Sequence, residues 1–298
     1  GFLTSANLSN GTLWGLLALL MAGVSVKAAV MPVHGWLVSA MVAPTPVTAL
    51  LHAVAVVKAG VFGVIRIMVF VFGSNLLSGM GAGQLIAVVA AITVILGSVL
   101  ALRHDNFKRR LAYSTIAHLS YIVLGVALLG PLALTGALLH LVGHGVTKIT
   151  LFFCAGAIAV RTHREHVSEL TGIGKQMPIT MAAFTLASLS LVGIPPFVIF
   201  ASKWFLGSGA AQVNQPVFLI VYAMSGVLSA AYLFPIIFRA YWRTSRAFPR
   251  YGEAAATMVV PLSITGLLAL VWGIAPDVPF SFLSLASDVS HAAFAGGR

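Results

Sequence analysis

Charge is the scarcest commodity in this sequence. Only 8% of its residues are Asp, Glu, Lys or Arg, whereas 59% are hydrophobic. A soluble globular domain carries about a quarter of its residues as charges. That deficit, with a mean hydropathy of +1.02, excludes a soluble fold and predicts an all-α, polytopic membrane protein. Cysteine is nearly missing too. The single Cys154 lies in an apolar run, which excludes a disulfide framework, a zinc knuckle and a cysteine-ligated iron–sulfur cluster. No basic segment precedes the first apolar stretch, so no cleavable signal peptide is expected. The glycines at 79, 81 and 83 follow no strand and meet no phosphate-binding lysine, so they read as a flexible turn. With no nucleotide or flavin motif either, the residues call for no cofactor and no metal.

The net charge of +11 superficially suggests nucleic acid, but the basic residues sit in short loops between apolar runs, the pattern of the positive-inside rule. Eight runs approach the roughly 20 residues that a bilayer requires: about 12–31, 46–70, 84–102, 110–129, 132–160, 178–205, 216–240 and 256–274. The second, fifth and sixth are long enough to tilt or break. With the N-terminus outside, one side receives Arg103, Lys108, Arg109, Arg110, Arg161, Arg164, Lys175, Arg239, Arg243, Arg246 and Arg250. The other side receives Arg66 and Arg298. This asymmetry predicts cytoplasmic basic loops and external termini, and the membrane expected is a bacterial or archaeal cytoplasmic membrane.

The acids are as informative by their placement. All six (Asp105, Glu165, Glu169, Glu253, Asp277, Asp288) fall in loops or near the C-terminus, whereas Lys27, Lys58, Lys148 and Lys203 fall within apolar runs. An amine in the hydrocarbon layer costs roughly 2.5–3.5 kcal/mol on insertion scales, so it implies a task or a partner. Lys27 precedes Pro32 by five residues, and Pro44 and Pro46 follow in the same hairpin. Proline removes a backbone donor, and the freed carbonyls need protein or water at membrane depth. Amine and break together make Lys27 a candidate on a hydrated ion path, with snorkelling from a helix end as the alternative account; for Lys58, in mid-run, snorkelling is a poor account. In LLHLVGHGVTKITLFF, His140, His144 and Lys148 step by four residues, about 40° per step, and share one helical face. Imidazole titrates near neutrality, so this stripe is suited to passing protons through water. Lys203 follows the break at Pro195 and Pro196 in GIPPFVIFAS; with Trp204 it reads alternatively as an interfacial anchor. His52 and His118 each lie about two turns inside a run, and His34 at the hairpin is a weaker candidate. The segment 161–177 is a charged loop whose His163 and His166 read as solvated, and Lys108, Arg109 and Arg110 read mainly as a topology signal. Gly143 and Gly145 flank His144 and suit close helix approach or hydration.

The order Lys27, Pro32, His34, Trp36, Leu37, then APTPV, His52 and Lys58-Ala-Gly resembles the antiporter-like subunits of respiratory complex I, Mrp-type Na+/H+ antiporters and membrane-bound hydrogenases. LLHAVAVVKAGVFGVIR looks most like the D-type branch of the Mrp antiporters, as do Gly-Ile-Pro-Pro and Ser202-Lys203-Trp204. The resemblance implies an inverted-repeat fold in which this chain matches the last eight of fourteen core helices, with the second five-helix repeat complete. It implies that His140, His144 and Lys148 belong to a central hydrophilic axis and that Lys203 is the terminal proton exit. It also implies other membrane subunits as partners, protons and in exchange Na+ as cargo, and a glutamate opposite Lys27 from the part that these eight helices lack. Two other readings stay open: a membrane scaffold without its own transport, and a di-haem cytochrome b type subunit using His52, His118, His140 and His144 as axial ligands.

Overall fold

A computed structural model describes residues 1–5, 8–243, 248 and 251–295. Arg246, Arg250 and Arg298, used above to assign topology, lie outside the described residues. Helices occupy all eight predicted stretches, and the described residues form no strand, only an isolated bridge between Asn106 and His166. The long helices are α1 (Asn10–Ala28), α6 (Ala82–Arg103), α7 (Phe107–Ala127), α8 (Pro131–Thr162), α11 (Pro216–Trp242) and α12 (Ala256–Ile274). The hairpin after α1 holds the short α2 (Gly35–Ser39) and leads into α3 (Thr45–Ala53) and α4 (Val56–Ile65), which a π-helical turn, Arg66–Phe72, extends to Gly73. A short α5 (Ser74–Gly79) precedes α6, and α9 (Pro178–Val192) and α10 (Val198–Gln212) share the sixth stretch.

Local chemistry sets many of these boundaries. Ser9 Oγ accepts the Thr12 amide to cap α1, and Ala29, with φ of 55°, ends it. Pro131, Pro178 and Pro216 open α8, α9 and α11 at the position where a missing N–H is harmless. Pro44 and Pro46 likewise stand at the start of α3, and Pro32 lies in the turn beyond α1. Glu253 reaches back to cap α9: its carboxylate accepts the amides of Ile179 (2.6 Å) and Thr180 (3.1 Å) and the Thr180 hydroxyl (2.6 Å).

By length and composition, six helices among the described residues suffice to cross a membrane: α1, the composite Thr45–Phe72, α6, α8, α11 and α12. α7 carries three bases in its first turn and a polar interior, and the break after Val192 shortens α9 to 15 residues. One helix was not expected. α13 (Phe282–Ala295) starts after Asp277, whose carboxylate accepts the Ser284 amide and hydroxyl, each at 2.9 Å.

α8, 32 residues and about 48 Å long, is the axle of the bundle: α3, α7, α9, α10, α12 and α13 all pack on it. α7 is buried along nearly its whole length. Close approach depends on small residues at the crossings. A Cβ on Gly60 would strike the Lys27–Ala28 backbone and one on Gly97 would crowd Ala117. Gly83 is buried against Ala127 and Leu129, whereas Gly79 and Gly81 are exposed, with open space where a Cβ would stand, at the turn between α5 and α6. The loop 163–177 docks through buried Val167, Leu170 and Ile173.

Candidate functional site

The stripe on α8 faces inward as its spacing predicts: His140, His144 and Lys148 are all fully buried. Lys148 Nζ donates to Ser114 Oγ at 2.6 Å and to the Leu111 carbonyl at 3.0 Å, both on α7. Ser114 accepts from the Tyr232 hydroxyl at 2.8 Å, and Tyr232 meets Ser229 at 3.1 Å. Ser229 Oγ is 3.5 Å from His118 Nε2. His118 Nδ1 and His140 Nε2 then share a hydrogen bond of 3.1 Å, and His140 Nδ1 meets Ser202 Oγ at 2.9 Å. A polar file from four helices (α7, α8, α10, α11) thus runs through an otherwise apolar bundle.

Lys58 enters this file from a helix break that contains no proline. Val54 and Ala55 leave the helical region, and the Leu50 carbonyl accepts both of their amides, at 3.2 and 3.0 Å. The sequence here, AVAVV, alternates β-branched residues that are stiff at χ1 and weak in helices. Lys58 follows in the first turn of α4, with Nζ 2.7 Å from the Leu141 carbonyl and 3.0 Å from His144 Nδ1. Gly145 makes the space: a Cβ there would stand 3.3 Å from the Ala53 carbonyl and 4.0 Å from Lys58 Cε. The His144 ring lies 5.6 Å from that of His118 and 5.9 Å from that of His140, centroid to centroid.

The second break does contain its prolines. Between α9 and α10, Pro195 and Pro196 interrupt the ladder and leave the last carbonyls of α9 without helical donors. Lys203 Nζ fills that role, donating to Val192 at 2.7 Å and Leu191 at 3.1 Å, a favourable place for a cation. Trp204 turns the other way and is 65% exposed, so the two do not act as a joint anchor.

Other candidates are not gathered in. Lys27 is exposed on the bundle's outer face. His52 is buried against the Phe152 ring at 4.9 Å, and among the described residues neither of its ring nitrogens has a hydrogen-bond partner, nor does His144 Nε2. His118, by contrast, is gathered in, beside His140 at the hub. His118 and His140 spend ring nitrogens on each other, which does not fit paired axial ligation of haem. His34 is half-buried near Tyr113. His166 is a surface residue 3.5 Å from Asp105.

Electrostatics outside the helices organises the basic side. His104 stacks on Tyr113 at 4.8 Å; partial burial and then Arg109, Arg110 and Arg103 hold its imidazole below its ordinary value. Partial burial works against Asp105, yet its bonds from the Ser168 hydroxyl (2.7 Å) and amide (3.1 Å) dominate, with His166 and Arg110 nearby, and keep the carboxyl below its ordinary range. Among the described residues the ion pairs are Arg164–Glu169 at 3.3 Å and His166–Asp105, both at the surface. Arg110 has a structural part as well: it is buried and ties the His104 carbonyl (2.8 Å) to that of Tyr232 (3.1 Å).

Sequence reasoning missed Ser114, Ser229, Tyr232 and Tyr121. Serines and tyrosines are ordinary in apolar helices, and nothing local marks these four. LAYSTIAHLSYI places Ser114, His118 and Tyr121 at helical spacing, which was the one available signal.

The family described as NADH:quinone oxidoreductase/Mrp antiporter, TM, matches residues 2–229. NADH-quinone oxidoreductase subunit N of Desulforudis audaxviator (strain MP104C) is 37% identical over 278 residues, 87% of this chain and 54% of the relative. The chloroplastic NAD(P)H-quinone oxidoreductase subunit 5 of Cicer arietinum is 37% identical over 228 residues, 73% of this chain and 29% of the relative. The chain therefore spans about half the length of the first and under a third of the second. Among solved structures, the Mrp complex from Dietzia sp. DQ12-45-1b superposes with a TM-score of 0.86 at 23% identity, over 96% of this chain and 60% of that one. The membrane-bound sulfane sulfur reductase, an archaeal respiratory membrane complex, gives 0.86 at 26%, over 98% and 58%. Respiratory complex I from Thermus thermophilus with bound NADH gives 0.81 at 23%, over 96% and 60%, a likeness of fold.

Proposed function

We propose that this chain, which belongs to the NADH:quinone oxidoreductase/Mrp antiporter membrane family, moves protons along the buried file of lysines, histidines and hydroxyls as part of a multisubunit complex. The observation that carries this reading is the unbroken set of hydrogen bonds from Lys148 through Ser114, Tyr232, Ser229 and His118 to His140, with Lys58 held at the adjoining His144. Such a polar file inside apolar helices is expensive to bury, and no carboxylate offsets it: the six lie in loops or near the C-terminus.

Amines and imidazoles along the file take and release protons in turn. Two unit charges about 8 Å apart interact by roughly 2 kcal/mol at an effective dielectric near 20, enough to change a neighbour's proton affinity more than tenfold. The orphaned nitrogens of His52 and His144 are where water completes the route, because buried polar atoms take water when protein offers no partner. The proposed pathway comprises Lys58, His144, His140, His118, Lys148 and Lys203, with His52 on the basic side and Lys27 at an interface that a further membrane helix covers. The broken helices around Lys58 and Lys203 provide the opening and closing that makes transfer directional. Energy comes from a partner subunit, as an ion gradient or a redox reaction, and Na+ is the counter-ion if the cycle is an exchange. The eight helical stretches cross a bacterial or archaeal cytoplasmic membrane, with both termini external.

The test is driven proton flux in liposomes holding the assembled complex. Lys148→Ala abolishes it on this reading. Unchanged flux would assign the chain to a scaffold role instead.

A further inference from the structure

Resting on that reading, we propose that Tyr121 is a positioning residue that closes the file between the central histidines and Lys203. Its ring is fully buried and nearly parallel to two imidazoles, 5.0 Å and 6° from His118 and 5.2 Å and 9° from His140. Lys203 Nζ lies 5.4 Å from the centre of the same ring. Three titratable groups therefore converge on one aromatic side chain.

Among the described residues no hydrogen bond joins Lys203 to either histidine. Lys203 donates to the Leu191 and Val192 carbonyls, and His140 bonds to His118 and Ser202. Nor does the phenol relay between them. Its hydroxyl donates to the Tyr222 carbonyl at 3.1 Å, and the Tyr222 hydroxyl returns a 3.4 Å bond to the Tyr121 carbonyl. This crossed pair pins the ring to α11. An aromatic face attracts an ammonium through its quadrupole, but it has no lone pair or exchangeable proton with which to pass a proton on. The ring thus keeps the amine close while interrupting the chain of polar atoms. Beyond it, Lys203 borders an open cavity of about 470 Å³ with Gly193, Trp204, Tyr222 and Gly226. Displacing one ring joins the histidine hub to that cavity. A proton then leaves an imidazolium nitrogen for the free amine of Lys203, and the total charge is conserved.

The experiment measures passive proton leak, with no driving reaction, across liposomes holding the assembled complex. Tyr121→Ala is expected to raise the leak about tenfold, the effect of lowering a barrier by about 1.4 kcal/mol. Tyr121→Phe keeps the ring and stays near wild type. Adding Lys203→Ala to Tyr121→Ala returns the leak to the wild-type level, which general damage to packing would not do. Tyr121→Leu is read the same way should the alanine variant fail to assemble. A wild-type leak in both the Ala and Leu variants overturns the inference, as does a leak that persists without Lys203. Either result is separable from failure of the functional reading, which is decided by Lys148→Ala under driving conditions.

Discussion

Lys58 Nζ stands 3.0 Å from His144 Nδ1 across the gap between the broken second stretch and α8. The two residues are 86 positions apart, and the contact exists because one helix stops at Val54 while the other has no side chain at Gly145. An amine and an imidazole this close cannot both be charged without repulsion, so one proton is expected to be shared between them or handed on. Lys58→Ala and His144→Ala should each lower driven flux by about a hundredfold, the low end of what positioned proton-transfer groups contribute. The double variant should be no slower than the worse single one. Additive losses would mean that the two act independently.

Ser114, Tyr232 and Ser229 form the hydroxyl bridge seen between Lys148 and the histidine hub among the described residues. Tyr232→Phe removes one oxygen and leaves the shape. Driven flux should fall while the melting temperature changes little, since a buried hydrogen bond is worth about 1 kcal/mol net. Flux equal to wild type would place the route elsewhere.

Gly145 is the point where α3 and Lys58 approach α8. Gly145→Leu must push the Ala53 carbonyl and the lysine aside, and overpacking of this kind costs about 1–3 kcal/mol. Thermal unfolding in detergent should show the loss, and driven flux should fall with it. Gly15, whose Cβ would meet nothing within 4 Å, is the control: Gly15→Leu should leave both unchanged.

Glu253 caps α9 from a loop 73 residues beyond Thr180. Glu253→Ala leaves the Ile179 and Thr180 amides without this acceptor, and loss of a cap costs about 1–2 kcal/mol. Hydrogen exchange should speed up in the first turn of α9 and not in α10.

Asp105 gives a pH dependence whose sign is fixed. Its carboxyl is held below the ordinary 3.8 by the Ser168 bonds, so the docked loop favours the ionised form. The contribution is fully present above that ordinary value and is lost as the pH falls through the lowered one. Protection of the Ser168 amide should decline only below about pH 4, the ordinary carboxylate range. Asp105→Asn should abolish that pH response.

The amino-acid sequence by itself determined whatever depends on near neighbours in the chain. Apolar runs of bilayer length became helices, Pro195 and Pro196 broke one of them, and residues four apart put His140, His144 and Lys148 on one buried face. These are consequences of hydropathy, of a missing amide and of helical period, and each acts within a few residues. Tertiary structure decided which polar groups meet. Ser114 and Tyr232 lie 118 residues apart and carry no local mark, so their partnership depends on how α7 and α11 face one another. The break before Lys58 was hidden for the same reason: valines only weaken a helix, and the pull of Lys58 toward the Leu141 carbonyl is a contact between helices. Lys27 turned outward and Arg110 inward because burial is a property of the packed bundle, in which a charge is sheltered only where another helix supplies oxygens to receive it.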